Sequence, residues 1–123
     1  MILQLEDSKS IEDIQKQFSF FFPFLKIEFF TKRHIWEGMY KEHELLPGSL
    51  LLGSIRKQHN SGAFEIKPWH KIGEVENEFY LKFGLNVQIY FKSGKRWIQT
   101  TKSDNLTIFN LQMQTNKAET PLL

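Results

Sequence analysis

The chain has 123 residues, 41% hydrophobic and 24% charged, a balance that suits one ordinary globular domain and excludes a disordered or low-complexity segment. Cysteine is absent, which removes a disulfide scaffold, a thiol nucleophile and every cysteine-based metal or cluster site. The net charge is +2, with eight Lys or Arg against eight Asp or Glu in residues 1–62 and eight against six in 63–123, so neither half is a basic tail.

Along the chain, Ile2 to Leu5 reads as a short alternating strand. The opening residues lack the basic start and sustained apolar run of a signal peptide, and the apolar run Phe18 to Leu25 is too short for a membrane span. A soluble, cytoplasmic protein is therefore expected, with no membrane partner. Ile11, Ile14, Phe18 and Phe22 form one helical stripe, with Ser10 as N-cap, Asp13 closing a capping box and Pro23 stopping the helix. Leu25 to Thr31 is a strand, linked through Lys32, Arg33 and His34 to a second strand within Trp36 to Leu45. Ser49 caps a short helix over Leu50 to Lys57.

After the joint His59-Asn60-Ser61-Gly62, Phe64 to Lys67 is a strand. Ile72 to Phe83 is a helix with glutamates toward its N-terminal half and Gly84 placed to end it. Leu85 to Phe91 and Arg96 to Thr101 alternate as a hairpin about a Ser93-Gly94 turn. Asp104 caps a helix over Asn105 to Met113, although the alternation from Phe109 to Gln114 fits a strand as well. Residues 116–123 read as a frayed tail.

The chain also matches itself. The series 11, 14, 18, 22 repeats 61 residues on as Ile72, Val75, Phe79 and Phe83; Leu25, Ile27 and Phe29 answer to Leu85, Val87 and Ile89; Leu50, Leu52 and Ile55 answer to Leu106, Ile108 and Leu111. The reading is an α+β fold of tandem, pseudo-symmetric β-α-β-β-α units, 1–62 and 63–115, in a single domain. Right-handed crossovers would place the strands in one mixed sheet with helices packed on it.

Chemistry-bearing patterns are sparse. A Ser93-Gly94 turn sets Tyr90 opposite Trp97 and Lys92 opposite Lys95, with both rings facing away from the helices. Phe30 occupies the position of Tyr90 in the first unit, with Trp36 or Tyr40 beside it. The candidate binding surface is therefore Phe30, Trp36, Tyr90, Trp97, Lys92, Lys95 and Arg96. Such a cluster suits three uses: a second core layer beneath a short helix, self-association or docking of another protein, and a stacking platform for single-stranded nucleic acid.

His34, Glu42 and His43, with Arg33, are the candidates for a small hydrolase or transferase cleft between the units. No metal-binding spacing occurs, and no cofactor is expected. Gly48 to Ser54 has the glycine spacing of a phosphate loop without its lysine. The expected role is a non-enzymatic binding or assembly module, as a homodimer, working through its aromatic sheet face.

Overall fold

A computed structural model describes residues 1–32, 44–100 and 105–119. Its elements are β1 (Ile2–Leu5), α1 (Ile11–Phe21), β2 (Leu25–Phe30), α2 (Leu52–Ile55), β3 (Gly62–Glu65), α3 (Ile72–Phe83), β4 (Asn86–Ser93), β5 (Arg96–Gln99) and α4 (Ile108–Glu119).

Helices α1 and α3 form where local chemistry directs them. Ser10 Oγ accepts from Asp13 N at 3.1 Å while the Asp13 carboxylate accepts from Ser10 N at 3.3 Å, so two N-terminal amides of α1 are satisfied at once. Its stripe Ile11, Ile14 and Phe18 is buried, and Phe22 at the C-cap adds a fourth apolar side chain just before Pro23. In α3 the buried stripe is Ile72, Val75, Phe79 and Phe83, and Gly84 ends the helix at φ +66°. That left-handed geometry is one that glycine adopts without a Cβ clash.

The expectation of one mixed sheet is overturned. The strands form two separate, wholly antiparallel sheets: a β1–β3 ribbon and a three-stranded sheet in the order β2-β4-β5. β1 and β2 do not pair; β1 lies against β3 and β2 against β4, each partner some sixty residues on. Leu3 stands opposite Phe64, and Glu28 opposite Gln88. Periodicity sets which residues face inward but does not say which strand lies alongside, so the crossover rule was applied to strands that do not share a sheet.

One core joins the two sheets. Leu3, Leu5, Phe64 and Ile66 come from the ribbon region; Leu25, Ile27, Phe29, Val87 and Ile89 come from the larger sheet; the helical stripes fill the space between. Phe79 meets Phe64 edge-on at 5.1 Å and Phe29 at 6.3 Å, tying α3 to both sheets.

Three backbone contacts occur twice. Ile11 N donates to Leu50 O and Ile72 N to Leu106 O; Leu52 N donates to Lys9 O and Ile108 N to His70 O; Gly53 N donates to Asp7 O and Phe109 N to Pro68 O. In every pair the residues of the helix entry are 61 apart and those of the later segment 56 apart. The other two helices are shifted from their expected places. α2 starts at Leu52 without a side-chain cap, and α4 is helical from Ile108 to Glu119, beyond the expected helix end.

The β4–β5 turn lies one position later than expected. Ser93 pairs with Arg96, so Gly94 and Lys95 form the loop. Gly94 has φ +63° and, among the described residues, no non-glycine residue has positive φ, which is the pattern of a type II′ turn with glycine first. Moving the loop by one shifts the pairing by two residues, so every side chain keeps its face. Trp97 now opposes Lys92 and Tyr90 opposes Gln99, leaving Tyr90 and Trp97 as diagonal neighbours.

Candidate functional site

The face expected to carry the aromatic cluster is graded in burial from one end to the other. Phe30, paired with Asn86, is 3% exposed, and Gln88 is 5% exposed. Toward the hairpin tip the face opens: Tyr90 is half-buried and Trp97 is 39% exposed. Phe30 is thus removed from the accessible cluster, although alternation placed it on the correct side. Trp36 and Tyr40 lie outside the described residues.

Between the two accessible rings sits a cation that sequence reasoning passed over. Lys26, opposite Tyr90 on β2, places Nζ 5.2 Å from the Tyr90 ring centre and 5.1 Å from that of Trp97. Its ammonium also meets Glu28 Oε1 at 3.3 Å. Contact with both ring faces and a carboxylate fixes the two aromatics relative to each other. The signal was in the sequence, since Lys26 and Glu28 share the alternating face of Tyr90 once β2 and β4 are known to be neighbours. Lys92 lies beside Trp97, Lys95 in the turn, and Arg96 turns to the other side with Phe91 and Ile98.

The sequence-derived catalytic candidates Arg33, His34, Glu42 and His43 all lie outside the described residues. Among the described residues no group of three His, Asp or Glu side chains could hold a metal ion. The other two histidines have local partners: His70 Nδ1 accepts from Lys67 N at 3.1 Å, and His59 Nδ1 meets Asp7 Oδ2 at 2.8 Å.

Asp7 also anchors Arg56, whose side chain is fully buried. Arg56 Nε and Nη2 reach Asp7 Oδ1 at 2.9 and 2.7 Å, Nη1 donates to the carbonyls of Asn60 and Phe83 at 2.7 and 3.0 Å, and Nη2 reaches Ser61 Oγ at 3.5 Å. The hydrogen bond from Arg56 is the main reason the Asp7 carboxyl is held below its ordinary value. With all its N–H directions engaged, Arg56 offers no fork to an anionic ligand. Its work is structural, joining the loop before α1, the joint between the units and the end of α3. No motif announces this network, because Asp7 and Arg56 are 49 residues apart.

The glycines of the phosphate-loop-like stretch are explained by packing. A Cβ on Gly53 would lie 2.8 Å from that of Asp7, and one on Gly48 3.2 Å from that of Glu12. An apolar patch also went unread: Phe20 is 84% exposed, with Phe21 and Ile2 at 58% each, around a groove of about 420 Å³ that Lys16 and Gln17 complete. Phe20 lies opposite the 11, 14, 18, 22 stripe, which is the signal that would have placed it outside, whereas Phe21, seven residues after Ile14, sits at the stripe's edge and carries no such signal.

The described residues thus present a small domain with aromatic clusters. No helix among them is long and apolar enough to cross a membrane. Comparison with known proteins finds no protein family, no curated protein and no solved structure that matches this chain.

Proposed function

We propose that the chain is a small, non-enzymatic binding or assembly module that meets a protein partner through the β4–β5 hairpin. Trp97, Tyr90 and Lys92 form the contact, with Lys95 at its rim, while Arg96 points to the other side of the hairpin. The observation that carries this reading is the accessible indole of Trp97, on a sheet face turned from the core and braced by Lys26 against Tyr90. An aromatic centre with a charged rim is the composition of interface cores. Covering such rings contributes about 25 cal/mol for each Å² of apolar area removed from water.

The Phe20–Phe21 patch is more exposed, but its nearest cation is already matched, since Lys16 pairs with Glu12 at 3.0 Å. It therefore lacks the directional charge that gives a contact surface its specificity.

The partner in this reading is another protein or a second copy of the chain, the second copy giving a homodimer. Sedimentation velocity over a concentration series tests the homodimer. A dimer formed through the hairpin is lost in Trp97→Ala and retained in Phe20→Ser. A dimer that survives Trp97→Ala, or one that only Phe20→Ser dissolves, moves the contact off the hairpin.

A further inference from the structure

The charge around the hairpin discriminates between these partners. Lys92 stands opposite Trp97 and Lys95 lies in the turn beyond it, and among the described residues neither makes an ion pair. Lys26, by contrast, is held by Glu28. A symmetric dimer uses one patch on both subunits, so it would gather two sets of these cations into a single small contact. Like charges brought together in a partly dehydrated interface are repelled, and no acidic side chain of the hairpin offsets them.

We infer that the hairpin face receives an acidic protein segment, in which carboxylates flank an apolar side chain. The apolar group covers the exposed part of Trp97 while the carboxylates meet Lys92 and Lys95. This rests on the proposal that the hairpin is the contact surface, and it names the chemistry of what docks there. Nucleic acid shares the negative charge, but the ammonium of Lys26 already takes one face of both Tyr90 and Trp97, which reduces the open ring area a base-stacking platform needs.

The test is selection of a random-peptide phage library on the immobilised full chain, followed by titration of enriched peptides against wild type, Trp97→Ala and the double variant Lys92→Glu, Lys95→Glu. All three substituted side chains lie on the hairpin, and thermal unfolding checks that the variants remain folded. The inference expects enriched peptides rich in Asp and Glu around an apolar residue. Their binding should weaken about tenfold or more in each variant and fall as salt rises.

Neutral or basic peptides that still require Trp97 would overturn the acidic partner while leaving the hairpin as the contact face. Peptides indifferent to both variants, or no enrichment, would overturn the contact face as well. Stronger, salt-sensitive retention of oligothymidylate than of any selected peptide, lost in Trp97→Ala, would replace the acidic protein with a nucleic acid.

Discussion

Glu28 of β2 stands directly opposite Gln88 of β4 in the antiparallel ladder. The two residues are 60 apart, the same spacing that relates Leu25, Ile27 and Phe29 to Leu85, Val87 and Ile89. In the ribbon, Leu3 likewise faces Phe64, 61 residues on. Two antiparallel ladders, each centred on a pair of equivalent residues, are what a pseudo-twofold relation between 1–62 and 63–115 requires. The repeated backbone contacts at the helix entries support the same reading.

A consequence concerns the separability of the halves. The ladder partners of β1 and β2 lie in the second half, so residues 1–61 alone cannot complete either sheet. Fragments 1–61 and 62–123 should each lack cooperative unfolding by circular dichroism, and mixing should restore it. Cooperative unfolding of 1–61 alone would contradict a single interdependent domain.

Arg56 tests the joint between the units. Arg56→Ala removes the donors to the buried carbonyl of Phe83 and to that of Asn60, and it leaves Asp7 without its main partner. The expected loss is about 3 kcal/mol in urea unfolding, set by the acceptors left without donors. A loss under about 1 kcal/mol would mean that water replaces the guanidinium without cost.

The same network fixes the sign of a pH effect. Asp7 is held below its ordinary value of 3.8, chiefly by Arg56. A carboxyl whose folded value is lowered contributes stability that is fully present above the unfolded value and is lost as pH falls through the folded one. Wild type should therefore lose stability below pH 3.8 more steeply than Asp7→Asn, and urea midpoints across an acid series will read the difference. Parallel acid limbs in the two proteins would count against it.

Two glycines should respond unequally. Gly84 and Gly94 have nearly the same positive φ, +66° and +63°, but a Cβ on Gly84 would meet Gln58 O at 3.2 Å whereas one on Gly94 meets nothing within 4 Å. Gly94→Ala should cost about 1 kcal/mol from backbone strain alone. Gly84→Ala should cost more, because the chain at Gln58 must also shift. Thermal unfolding of the two variants gives the order directly.

What could be read from the sequence was local. The α1 stripe with its Ser10–Asp13 box, the α3 stripe ended by Gly84, and the faces of Tyr90 and Trp97 all follow from periodicity and capping within a few residues. Strand partnership was not local: β1 meets β3 across some sixty residues, and nothing in a four-residue strand states its neighbour. The turn was misplaced by one because Ser-Gly and Gly-Lys both make two-residue loops, and the positive φ demanded at the first loop position decides for Gly94. In the candidate site, alternation gave Phe30 its side of the sheet but could not reveal that this end of the face is closed. Lys26 was hidden for a related reason, since its place between the rings exists only once β2 lies beside β4.

Calorimetric titration of a hairpin-selected peptide into wild type and into Trp97→Ala tests the central claim most directly. The account predicts that the variant, with an unaltered unfolding midpoint, binds at least about tenfold more weakly, a difference of about 1.4 kcal/mol. Equal affinity for the two proteins would contradict it.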